Sequence, residues 1–236
     1  WKEIVDFLNK IKNKRMDRLI VDVRSNGGGN LILAEILLQL LTEEKISYTP
    51  FRFKNTARNI AFLGNPLSSL KMFIPLAEEL ENSDEYYSSA IPLYDDSMIN
   101  YFQPQSFSKW FKRIDVITNS NCYSACDIFV SQMQDHKSAK IWGINAKQTG
   151  AGGAVVWTYS DLKNRMPKVF GLDPLDTLPG GQEMRFSYFQ SIRNKLNEGK
   201  ILENTGVRAD QVIYFNEKDL SNQFGRILKD IEKDFY

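Results

Sequence analysis

Twice in this chain a short apolar run of strand length ends in small residues and passes at once into a helical pattern. Residues 18–24 (Arg-Leu-Ile-Val-Asp-Val-Arg) read as a buried strand. A turn follows at 25–30, built on Asn26, Gly27, Gly28 and Gly29, and then a helix at 31–41 that packs through Leu33, Ala34, Leu37, Leu38 and Leu41. The second instance is a strand at 113–118, a turn at 119–123 and a helix from about 124 to 136, whose Ala125, Ile128, Phe129 and Met133 keep helical spacing. Strands and helices intermixed in this way specify the α/β class, here in one domain of 236 residues with room for a sizeable core.

Around these two units the pattern predicts an opening amphipathic helix (Trp1, Ile4, Val5, Leu8, Ile11). It predicts strands at 46–53, 139–143, 154–158, 183–189 and 211–215. A closing helix carries Leu220, Phe224, Ile227, Leu228, Ile231 and Phe235 on one stripe. Residues 55–110 are less regular, with a helix near 70–80, an acidic patch and a polar stretch at 94–108. They read as an elaboration on the core, a helical cap or a surface excursion.

Charge and length remove several functions. The 30 Lys and Arg against 29 Asp and Glu leave a net charge of +1, which argues against nucleic acid as the main partner. The longest apolar stretch, 31–41, is interrupted by Glu35 and Gln39 and is too short to span a bilayer. Trp1 is no translation start, so the chain is expected to be a piece of a longer protein. On one helix, Cys122 and Cys126 would hold their Cβ vectors roughly parallel, so no disulfide is expected between them. With a single histidine they also fall short of a four-ligand zinc site, and no metal or cofactor is expected.

Three segments are candidates for chemistry. The Gly27, Gly28 and Gly29 turn, between strand and helix, reads as a phosphate loop, an oxyanion hole or a plain tight turn; the Walker and dinucleotide patterns are both absent. Ser124, after a strand and a sharp turn, reads as a nucleophile whose oxyanion the Ala125 amide would help to hold, or as the serine of a Ser124-x-x-Asp127 capping box. Thr149-Gly-Ala-Gly-Gly153 reads as a hairpin-like turn or bulge, or as a flexible rim that admits a peptide backbone.

Taken together and in this order, the segments resemble a family. Leu19-Ile-Val-Asp-Val-Arg-Ser-Asn-Gly-Gly-Gly29 is similar to the strand-and-glycine motif of the S41 serine peptidases, the C-terminal processing peptidase family. Asp115-Val-Ile-Thr-Asn-Ser-Asn-Cys-Tyr-Ser-Ala-Cys-Asp-Ile-Phe129 resembles its nucleophile segment. Gln134-Asp-His136, Gly143 and 149–153 resemble the family's next stretch of chain, so the likeness runs from about residue 1 to 215. The finer resemblance is to the branch of the chlamydial protease-like activity factor, with tricorn protease more distant. It implies an α/β core of the ClpP/crotonase type, a protein or peptide substrate, and action outside the cytoplasm (secreted, periplasmic or in the cell envelope). It implies Ser124 as nucleophile, Gly28 and Ala125 as oxyanion donors, and Glu183 as the acid that orients the catalytic histidine. Oligomeric state stays open, a homo-oligomer included.

The base is the difficulty. The one histidine, His136, lies twelve residues beyond Ser124 on what reads as a single helix. That is about 18 Å along the axis, against about 3 Å for a hydrogen bond. His136 therefore reads as a structural residue whose charge suits the helix C-terminus. The resembled branch carries its histidine upstream of the motif at residue 19, so the base is expected in a segment preceding Trp1, and this chain alone is expected to be weak or inactive. Lys147 would serve in a serine–lysine dyad if burial lowered its pKa, but the family's lysine falls where this chain has Ala151 and Gly152. A peptide- or ligand-binding module that does not hydrolyse is the reading from another class. A crotonase-like acyl-CoA enzyme would need an adenine-phosphate site, for which no basic cluster is placed. Tyr94, Tyr101, Phe102, Phe107, Trp110 and Trp157 either line an apolar cleft or belong to the core.

Overall fold

The computed structural model describes residues 2–12, 14, 16–64, 73–153, 156–165, 175–187, 189–221 and 225–234. In chain order its elements begin with α1 (Lys2–Ile11), β1 (Met16–Asp22), α2 (Leu31–Leu40), β2 (Pro50–Arg52), α3 (Ala57–Leu63), α4 (Ile74–Glu81), β3 (Ile91–Pro92) and α5 (Ser97–Phe102). There follow β4 (Phe111–Thr118), α6 (Ala125–Asp135), β5 (Lys140–Ile144), β6 (Val156–Thr158), α7 (Tyr159–Arg165), β7 (Arg185–Ser187), β8 (Gln190–Ser191), β9 (Gln211–Ile213), α8 (Glu217–Ser221) and α9 (Gly225–Lys233). No helix among the described residues is long and apolar enough to cross a membrane.

The two strands that precede the small-residue turns are neighbours. β1 pairs in parallel with β4, Val21 opposite Val116, and the sheet continues in parallel through β5 to β9. Because strand side chains alternate, each strand feeds two cores. Leu19, Val21, Ile114, Val116 and Ile141 join the larger one with Ile36 and Leu40 of α2 and Ile128 and Met133 of α6. Ile20, Ile117, Trp142, Ile144 and Ile213 face the opposite way and are covered by Ile227 and Ile231 of α9. A parallel sheet buried on both faces is the α/β fold expected from the sequence. On the α9 side the fully buried Asp115 accepts from Trp142 Nε1 at 2.7 Å and pairs with Arg18 and Arg113, while Arg113 and Lys140 both reach Asp234 just beyond α9. A smaller antiparallel sheet, β3-β2-β8, and the antiparallel β6–β7 pair complete the described strands.

The expected strand at 46–53 shrinks to three residues, and the cause lies in α2. Gln39 Oε1 accepts from the Ile46 N–H at 3.0 Å, and Glu35 Oε1 from the Thr49 N–H at 3.1 Å. Gln132 of α6 donates to the Ser47 carbonyl at 3.1 Å. These backbone groups are satisfied by buried side chains rather than by a neighbouring strand. Glu35 and Gln39, which interrupt the apolar stretch in sequence, are therefore the groups that dock the following segment.

The elaboration at 55–110 contains α3, α4, β3 and α5, and the Phe107 N–H donates to the Leu40 carbonyl at 2.7 Å, fastening it to α2. Residues 65–72, which include the start of the helix expected near 70–80, and residues 154–155, 166–174, 222–224 and 235–236, lie outside the described residues.

Candidate active site

Ser124 stands between the turn after β4 and the first residue of α6, with φ 60° and ψ −123°. An ordinary capping serine is extended. A non-glycine residue held here costs on the order of 1–3 kcal/mol and persists only where its surroundings over-determine it. They do. The Ser124 N–H donates to Asp127 Oδ2 at 2.9 Å, the Tyr123 N–H to the Asn26 carbonyl at 3.0 Å, and the Ile128 N–H to the Ser124 carbonyl at 3.1 Å.

Contrary to expectation, Cys122 and Cys126 are joined by a disulfide, their Cα atoms 5.3 Å apart. The expectation rested on the geometry the two would have if both stood on one helix. Cys122 instead lies in the turn, and the reversal at Ser124 brings the two side chains face to face. The bond therefore closes a small ring around the serine.

Asp127 is fully buried and organises more than the helix start. Besides Ser124 it accepts from the Ala151 N–H at 3.1 Å and the Gly152 N–H at 3.0 Å. Burial pushes its carboxyl up, opposed by the hydrogen bonds from Thr149, Gly152, Ala151 and Ser124. The capping-box pattern signalled this residue, but not its reach to the segment at 149–153.

The triple-glycine turn lies directly against the serine. Gly28 has φ 92°, and a Cβ there would come within 2.8 Å of Ser124 Cβ and 2.9 Å of the Ala125 nitrogen. Only glycine permits that approach. Among the described residues the Ala125 N–H meets no acceptor, as befits the first residue of a helix. The Gly28 N–H donates to Asn26 Oδ1 at 2.9 Å.

The glycines at 149–153 admit a neighbour of their own chain. A Cβ at Gly152 would fall within the Tyr123 ring, and one at Gly153 within the Glu203 carboxylate. The Gly150 N–H donates to the Cys122 carbonyl at 2.7 Å. This turn is the second wall of the elbow, bonded to it, rather than a loose rim.

Among the described residues the remaining candidates share no hydrogen bond with Ser124. The exposed Glu183 accepts hydrogen bonds from the Ser160 hydroxyl and N–H at the start of α7, and no hydrogen bond joins it to Ser124. His136 caps the far end of α6 and accepts weakly from the Ser47 N–H at 3.5 Å. Burial, then the charge of Lys195, pushes its pKa down, so it acts as a neutral acceptor and not as the helix-end cation expected from the sequence. Lys147 is exposed and lacks the burial that a basic catalytic lysine needs. Of the aromatic residues singled out in the sequence, Phe107 is buried core and Tyr101 is 66 % exposed. The groove beside Ser124 is instead lined mainly by aliphatic side chains. A cavity of about 200 Å³ adjoins Gly28, Gly29 and Ala125 and is lined by Ile4, Leu33, Leu37 and Phe129.

A parallel sheet that delivers a strained serine to the start of a helix, against a glycine turn, defines the class as an α/β protein with an elbow site. The chain belongs to peptidase family S41, whose family model matches residues 1–211. No curated protein matches the sequence significantly. Among solved structures it is similar to mature CPAF (TM-score 0.66) and to mature CPAF complexed with lactacystin (TM-score 0.67), each 18% identical, covering 99% of this chain and 46% of that one. It is also similar to a candidate peptidase from Parabacteroides merdae (TM-score 0.59, 18% identical, covering 100% of this chain and 56% of that one). The chain thus spans about half the length of the structures it matches. These likenesses establish the fold, a mixed α/β architecture with a parallel sheet flanked by helices, as in CPAF.

Proposed function

We propose that this chain is the catalytic domain of a serine endopeptidase that cleaves protein or peptide substrates through an acyl-enzyme on Ser124. The observation that carries the reading is the conformation of Ser124: a non-glycine residue at φ 60°, locked by Asp127 and the Cys122–Cys126 bridge, with the Ala125 amide, unpaired among the described residues, beside it. A strained serine so braced presents its hydroxyl at a helix N-terminus, where negative charge is favoured. In this scheme Ser124 Oγ attacks the scissile carbonyl, and the Ala125 and Gly28 amides receive the oxyanion. The Gly28 N–H becomes available when the Asn26 side chain turns away from it. The aliphatic cavity next to these amides takes an apolar side chain of the substrate.

The proton of Ser124 goes to a histidine that this sequence does not supply, since its one histidine sits at the opposite end of α6. Glu183, on a surface segment and held by Ser160, is the acid that orients that histidine once it docks. A disulfide beside the nucleophile suits an oxidising compartment, in keeping with secretion or a place in the cell envelope.

The test is active-site labelling of the full-length polypeptide with a fluorophosphonate. Labelling of Ser124, abolished in Ser124→Ala and reduced by about 10²-fold or more in Glu183→Gln, is expected. Labelling that persists in Ser124→Ala, or a well-folded protein that takes up no probe, would overturn the proposal.

A further inference from the structure

A second, larger cleft of about 620 Å³ is lined by Tyr123 and Gly152 among others and shares no lining residue with the aliphatic cavity. The cleft and the elbow are tied to one atom: the Ser124 and Gly152 N–H groups both donate to Asp127 Oδ2, at 2.9 and 3.0 Å. The part of the cleft at Gly152 therefore lies next to the serine's own segment.

The lining of the cleft carries positive charge. Arg52 of β2, Lys54 just after it and Arg58 in the first turn of α3 all line the cleft. Among the described residues Arg52 is held in place without a carboxylate. Its guanidinium stacks on the Tyr87 ring at 4.4 Å, and its Nε donates to Gln190 Oε1 at 2.7 Å. The Lys54 ammonium rests over the Tyr86 ring at 4.7 Å. Among the described residues neither Arg52 nor Lys54 forms an ion pair, although this protein pairs most of its other buried and half-buried arginines with aspartate. Among the described residues the one carboxylate lining the cleft, Glu203, is nine-tenths buried and is engaged by the Ser191 N–H at 2.8 Å and the Ser191 hydroxyl at 2.7 Å. The cleft is thus net cationic in a chain whose overall charge is +1. Cations seated on aromatic faces and left without counter-ions keep their capacity to bind an anion.

We propose that this cleft is a subsite for a substrate carboxylate: Arg52 and Lys54 bind an acidic group of the peptide, apart from the aliphatic cavity. The preferred substrate then presents an apolar side chain and an acidic group at separate positions. The inference rests on the reading of Ser124 as the nucleophile for its meaning, but not for its test.

Binding can be measured without chemistry, by fluorescence anisotropy on Ser124→Ala with three labelled peptides of one apolar framework. The first carries glutamates and an amidated end, the second glutamines in their place and an amidated end, the third glutamines and a free C-terminus. The glutamate peptide should bind about tenfold more tightly than the glutamine amide at low salt, and the gap should narrow at high salt. The exposed Lys54→Glu substitution should erase the gap while leaving the glutamine amide unaffected, and Arg52→Gln should reduce it. A gain confined to the free C-terminus, and lost in Lys54→Glu, would identify the main-chain carboxylate as the ligand. Equal affinities for all three peptides, or a gap that survives Lys54→Glu, would overturn the subsite. Neither result depends on fluorophosphonate labelling, so loss of one proposal is distinguishable from loss of the other.

Discussion

Glu35 shows how one side chain sets conditions for the whole domain. It lies fully buried in α2, with Oε2 unpartnered among the described residues, and burial raises its pKa from 4.5 to about 7. The folded state therefore holds this proton more tightly than the unfolded chain does. The resulting stabilisation is full below pH 4.5, declines as pH rises, and is gone above about 7. The span corresponds to roughly 3 kcal/mol. Glu35→Gln, which keeps an acceptor for the Thr49 N–H, should flatten this slope and make the melting temperature higher than wild type in mildly alkaline buffer. Thermal melts across the range decide it; parallel curves for the two proteins would refute the assignment. At the same scale Ser124, Asp127 and the glycines at 28 and 152 were all visible as sequence motifs. That Asp127 joins Ser124 to the second glycine turn was not visible, because the partners are backbone amides, which every sequence contains.

The strand–turn–helix unit built from β4 and α6 is the element that holds the site. Its turn is closed by Cys122 and Cys126, and a ring of this size restricts the unfolded chain by about 2 kcal/mol. The paired substitution Cys122→Ser with Cys126→Ser, or reduction of the native protein, should lower the urea midpoint accordingly. It should also slow fluorophosphonate labelling, because Ser124 loses part of what holds it at positive φ. Unchanged labelling after complete reduction, checked by thiol titration, would show that the hydrogen bonds suffice. This element was read correctly in kind and incorrectly in one bond. The sequence places the helix from about residue 124, with Cys122 in the preceding turn, but the pair is judged by the geometry of two positions on one helix, where the bridge is unfavourable. The chain reversal at Ser124 places Cys122 off the helix and removes the obstacle.

At the scale of the molecule, α9 covers a face of the sheet that would otherwise be open. Ile227 and Ile231 are buried there against Trp142 and Ile213, and Asp234 fixes the helix end to Arg113 and Lys140. Ile231→Ala should cost about 2–5 kcal/mol. If the helix is part of the cooperative unit, far-UV and tryptophan signals should shift together in denaturant. A separate early transition would mean that α9 undocks alone. The terminal amphipathic pattern foretold a helix with a stripe to bury, but not which face of which sheet receives it. Likewise Arg52 and Lys54 come to line one cleft with Tyr123 and Gly152 only because β2 pairs with β8 and the antiparallel β6–β7 pair contributes Phe186 and Ser187.

From the sequence alone come the α/β class, the two strand–turn–helix units, the likeness to the S41 peptidases and the candidate serine. All of these reside in local periodicity and short motifs, which neighbouring residues determine. Tertiary structure decided the rest: the disulfide, the Asp127 hub, the neutral role of His136, the short β2 and the cationic cleft. Each depends on groups distant in sequence meeting across the fold, and the energies that select such pairings, buried hydrogen bonds and desolvation, exist only once the chain has packed.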